Sequence, residues 1–156
     1  MNMDYSEKRM KGMFTVLIAG FVLLGAVNVE ARDDRNMWSI SDALATEDAK
    51  KKLNMNIRFY FGDQSHPKIT KNFGEFMSNK KTNAFNKTDE RACQWNFLSA
   101  MISFQERAQR MGGNAVVNIR SYYKKNTISS QTEFECGSGA FVSGVTFLGD
   151  VVQLAD

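Results

Sequence analysis

The sequence predicts an α+β domain: an antiparallel sheet of about four to five strands with one main helix, residues 89–111, packed on one face. Three observations lead there. Residues 89–111 repeat apolar side chains at spacings of 3 and 4. Residues 115–154 contain three short runs in which apolar and polar side chains alternate. Cys93 and Cys136 each fall on the apolar side of their own element.

The helix has the clearest signals. Thr88 or Asp89 can cap its start, and Asp89 and Glu90 put negative charge in the first turn, where the helix dipole favours it. Cys93, Phe97, Ala100, Met101, Phe104, Ala108 and Met111 form one stripe, widened by Trp95, Leu98 and Ile102. Arg107 and Arg110 lie in the last turns, and Gly112 can take the positive φ of a C-terminal cap. Downstream, Ala115, Val117 and Ile119 alternate with Asn118 and Arg120, and Phe134 and Cys136 with Glu133 and Glu135. Val145 and Phe147 lead into Val151–Leu154. With Gly137, Gly139 and Gly144 supplying a turn or bulge, these runs predict an antiparallel meander.

Upstream signals are weaker. Ser41–Leu53 predicts a short helix, and Ile57, Phe59 and Phe61 a strand that ends at Gly62-Asp63. Phe73–Lys81 contains a second strand, and Arg32–Asn36 is expected to be a frayed start.

Residues 1–31 stand apart. Lys8, Arg9 and Lys11 precede the uncharged run Phe14–Val27, and Val29-Glu30-Ala31 offers a cleavage site before Arg32. This is the three-part pattern of a secretory signal, predicting removal after about Ala31 and a single mature domain, 32–156, outside the cytoplasm. A retained membrane anchor is the competing reading. It is disfavoured because the run is shorter than the roughly 20 residues a spanning helix wants. The mature chain is expected in the periplasm with no stable membrane insertion.

The leader carries equal numbers of acidic and basic residues, so the domain keeps the chain's net charge of +3. That is too little to predict nucleic-acid binding without a clustered patch. In an oxidising compartment an even cysteine pair usually joins. Cys93 lies on the helix stripe and Cys136 shares a strand face with Phe134, so a structural disulfide between them is expected. Two free buried thiols, or a redox pair, are the alternatives.

No catalytic or metal site is predicted. His66 is the only histidine and sits in a polar loop before Pro67. Ser138 lacks the spacing of a nucleophile elbow, and no phosphate-cradling glycine loop is present. The expected function is therefore non-enzymatic and cofactor-free: a periplasmic interaction or ligand-binding protein whose partner is an envelope protein or an anionic ligand. Two alternatives are kept. Arg120, Tyr122, Lys124 and Lys125 combine cations and rings that could bind an anionic glycan or phosphate. An envelope hydrolase would have to gather Asp63, Glu75 or Glu106 in one pocket.

Two resemblances add to this reading. Ala108–Ile119 (AQRMGGNAVVNI) resembles the helix end, glycine turn and strand of the YbjQ-like and RcsF-like α+β domains. Residues Phe59–Gln64, Asn79–Lys87, Cys93–Trp95 and Asn118–Asn126 resemble a group of small secreted proteobacterial proteins often labelled "excinuclease ATPase subunit". The label fits neither the missing phosphate loop nor the missing zinc-cysteine set. The resemblances imply an envelope address, a protein-contacting role and, from YbjQ-like rings, a homo-oligomer. Unlike RcsF-like lipoproteins, this chain has no lipidation cysteine directly following the apolar run.

Overall fold

The computed structural model describes Arg32 and residues 34–155; the leader and its cleavage site lie outside these residues. Ten elements follow in order. They are β1 (Asp34–Ser39), α1 (Ile40–Ala45), α2 (Glu47–Lys52), β2 (Arg58–Phe61), β3 (Ile69–Asn83), α3 (Asp89–Met111), β4 (Ala115–Ser121), a 3₁₀ turn (Tyr123–Lys125), β5 (Glu133–Ser138) and β6 (Val142–Leu154). The α+β architecture with one main helix on the sheet is present.

The helix keeps its expected bounds. Thr88 accepts a hydrogen bond from Arg91 N through its side chain (3.2 Å), and Gly112 closes the last turn at φ 75°. That backbone region penalises any residue with a Cβ, which is why glycine stands there. Thr88→Ala is expected to cost about 1 kcal/mol in urea unfolding, with Thr88→Ser close to the parent. Cys93, Phe97, Ala100, Met101, Phe104 and Ala108 are buried as the stripe predicts. Trp95 is not: it stays 38% exposed, with the Lys52 ammonium 4.5 Å from its ring centre. Asn96 and Gln105 are buried instead. Asn96 donates to Ser143 Oγ (2.7 Å), while Gln105 donates to Lys52 O (3.3 Å) and accepts from Asn54 N. Each polar side chain thus ties the helix to a neighbouring element.

The sheet departs from the expected meander in three ways. It has six strands, because the segment expected to fray is β1, paired antiparallel with β5 from Asp34↔Ser138 to Ser39↔Glu133. Arg35 joins it to β5 through Glu135, with Arg35 Nη2 2.5 Å from the buried carboxylate's Oε1. Next, β6 is paired with β3, β4 and β5 instead of following the last two at an edge. It pairs with β3 along one side, Ile69↔Leu154 to Asn83↔Val142, and shares its other side between β4 and β5. Finally, β2 runs parallel to β4, made possible by the helical crossover between them.

A bulge in β4 reassigns its side chains. Asn118 takes φ 52° where the β4–β6 register shifts. Val116 and Ile119 therefore face α3, whereas Ala115 and Val117 join Val152 and Leu154 in a second cluster. The single face expected for Ala115, Val117 and Ile119 is split. The expected helix at 41–53 is also split: Thr46 adopts ψ 145° and caps α2 by accepting from Ala49 N.

Candidate functional site

Cys93 and Cys136 form the disulfide, S–S 2.04 Å, and both are fully buried between α3 and β5. Helix and strand periodicity together bring the sulfurs to one layer. Ser138 sits beside them, its Oγ 3.5 Å from Cys93 Sγ, fully buried in β5. The pair is a staple within the core.

The residues expected to bind an anion are directed differently. Arg120, on the outer sheet face, is ion-paired with Glu75 and donates to Asn118 O (3.0 Å). Its charge is committed to β3. Beyond Ser121 the chain leaves the strand. Tyr122 N donates to Thr146 O (2.7 Å), and Lys124 and Lys125 both take left-handed φ, 49° and 65°. Tyr123 packs against Gly137 of β5, so close that a Cβ there would meet its hydroxyl at 2.0 Å. Tyr122 is half-buried and Lys125 exposed. The segment is thus two environments, with the arginine turned to a carboxylate and the lysines carried by a tight turn.

The three carboxylates of the hydrolase reading are separate. Glu75 pairs with Arg120, Glu106 lies 4.0 Å from Arg110 along the helix, and Asp63 accepts from Gln131 Nε2 (2.6 Å). The Gln131 bond, helped by Asp63's own backbone amide, holds the Asp63 carboxyl below the usual carboxylate range. That stabilising contribution is present at neutral pH and is lost as pH falls through the lowered value. Gln131→Ala is expected to raise the Asp63 midpoint in a carboxyl NMR titration. His66 is exposed, edge-on to Tyr60 with ring centres 5.5 Å apart. Among the described residues, no three His, Cys, Asp or Glu side chains cluster as metal ligands.

Gln64 and Gln131 line a cleft of about 280 Å³ between α1, β2 and the 131–132 loop. Ile40, Leu44, Phe59 and Phe61 give it apolar walls. Its amides are already engaged: Gln64 accepts from Phe61 N (2.8 Å) and donates to Gln131 O (3.3 Å). The space is slightly below the roughly 300–1,000 Å³ of small-molecule sites.

The most unusual surface lies elsewhere, where the β3 and β6 ends meet. Phe85 and Phe141 stack there, centroids 5.9 Å apart and planes 19° apart. They nevertheless remain 55% and 66% exposed, and the adjoining Val142 is 52% exposed. Main-chain bonds hold both loops: Ala84 N donates to Phe141 O (2.8 Å) and Gly139 N to Val142 O (2.8 Å). Asn83 Oδ1 accepts from Phe85 N (2.8 Å), and Lys87 Nζ donates to Asn83 O (2.8 Å). Lys81 lines the same surface. Neither phenylalanine carries a periodic or motif signal in the sequence. The available signal was a bulky apolar side chain inside a turn-rich loop, once in Asn83–Lys87 and again in Gly137–Gly144.

No helix among the described residues is long and apolar enough to cross a membrane. No family model, curated protein or solved structure matches this chain.

Proposed function

We propose that this is a non-enzymatic, extracytoplasmic protein of the cell envelope that works by docking through its Phe85–Phe141–Val142 end. The observation that carries the reading is the stacked aromatic pair, exposed on loops fixed by main-chain hydrogen bonds. Exposed apolar side chains of this size oppose solubility, and contiguous ones mark interaction surfaces. The buried disulfide and the leader-like segment support the address, since such bonds persist in oxidising compartments.

Two measurements in the native host test this. The envelope fraction should contain processed protein beginning near Arg32, with both cysteines resistant to alkylation. A photoreactive p-benzoylphenylalanine replacing Phe141 should cross-link one defined envelope component, protein or lipid, while the same replacement at Ser41 should not. Full-length cytoplasmic protein with alkylatable thiols would overturn the address. Equal or absent cross-linking at the two positions would overturn the docking role.

A further inference from the structure

We infer that the surface met by the Phe85–Phe141–Val142 end is an anionic lipid bilayer; the inference rests on the docking reading above and names its partner.

Shape is the first reason. The two rings project from adjoining loop tips at one end of the sheet, and their loops are tied by Ala84 N to Phe141 O and Gly139 N to Val142 O. A bilayer interface accepts protruding aromatic side chains without needing a complementary pocket. Because the loops are already bonded, insertion requires little ordering of the backbone.

Charge is the second. Lys81 lines the patch, and Lys87 is anchored to Asn83 at its edge. Among the described residues, no carboxylate lines it. Of the nearest acidic residues in sequence, Asp89 shares Arg32 with Asp34, whereas Glu90 accepts from the neutral Gln94 Nε2 (3.2 Å) and keeps its charge. Rings flanked by lysines match a surface with an apolar interior and a negative face.

Vesicle sedimentation of the processed protein tests the assignment, using phosphatidylglycerol–phosphatidylethanolamine vesicles against phosphatidylcholine vesicles. Binding is expected to the first and to weaken with salt. The double substitution Phe85→Ser, Phe141→Ser should lower partitioning about tenfold or more, through lost apolar insertion. Lys81→Glu should lower it roughly fivefold or more, through lost attraction to anionic headgroups. Phe141→Trp should report the location as quenching by lipids brominated on their acyl chains beyond that of the parent's Trp38 and Trp95. Near-ultraviolet circular dichroism checks that each variant is folded.

Equal partitioning of parent and double variant, or a Phe141→Trp quenched no more than the parent, would overturn the bilayer assignment. So would absence of binding to either vesicle. If position 141 then cross-links a protein in cells, only the lipid partner falls. If it cross-links nothing, the docking role falls with it.

Discussion

Replacing Phe97 with alanine is expected to lower unfolding stability by about 3–5 kcal/mol, as for other deletions of large buried rings. Phe97 is fully buried near the middle of α3. Its ring meets Phe134 at 4.7 Å, Phe147 at 5.8 Å and Phe61 at 5.9 Å between centroids. One side chain thereby joins the helix to β2, β5 and β6, so little of the cavity can be refilled without moving the sheet. Against a total stability of about 5–15 kcal/mol, that loss could leave a sizeable unfolded population. Phe97→Leu should cost much less, because it retains apolar volume. Urea unfolding monitored by tryptophan emission measures both. A loss below about 1 kcal/mol for the alanine variant would remove this ring from the centre of the core.

Removing the disulfide by Cys93→Ala with Cys136→Ala is expected to cost about 2–5 kcal/mol. The bond joins residues 43 apart and constrains the unfolded chain across α3 and β4. Alanine is preferred to serine, since a new hydroxyl at either fully buried site would need a hydrogen-bond partner. Both sulfurs are out of solvent, so reductant at low denaturant should act slowly and speed up through the unfolding transition. Mass spectrometry after alkylation follows the reaction. Rapid reduction of the fully folded protein would contradict a bond enclosed between helix and sheet.

The same two features show how far local sequence reaches. Helix α3 was legible because its stripe, Thr88 and Gly112 act within one or two turns of the chain. The cysteine pairing was legible because helical and strand periodicities independently turn Cys93 and Cys136 inward. Strand β1 was hidden. Its DRNMWS sequence leaves Met37 38% exposed and has little apolar alternation, yet β5 supplies its backbone partners and Glu135 holds Arg35. The alternation in β4 was visible, but the Asn118 bulge that divides it between two apolar clusters was not.

For the candidate surfaces the division is sharper. Arg120, Tyr122, Lys124 and Lys125 are neighbours in sequence, and folding sends Arg120 to Glu75 while the lysines enter a left-handed turn. Phe85 and Phe141 are far apart in sequence, and folding stacks them.

The amino-acid sequence alone determined the α+β class, the long helix and the inward placement of both sulfurs. Each depends on side-chain periods and caps whose energetics are settled between near neighbours. Tertiary structure decided that β4 and β5 share one side of β6, that β3 runs along the whole length of the other, and that two loop phenylalanines share one exposed tip. Strand adjacency and register are chosen by pairing and burial summed over the whole sheet, a competition among distant segments that no single window of the chain contains.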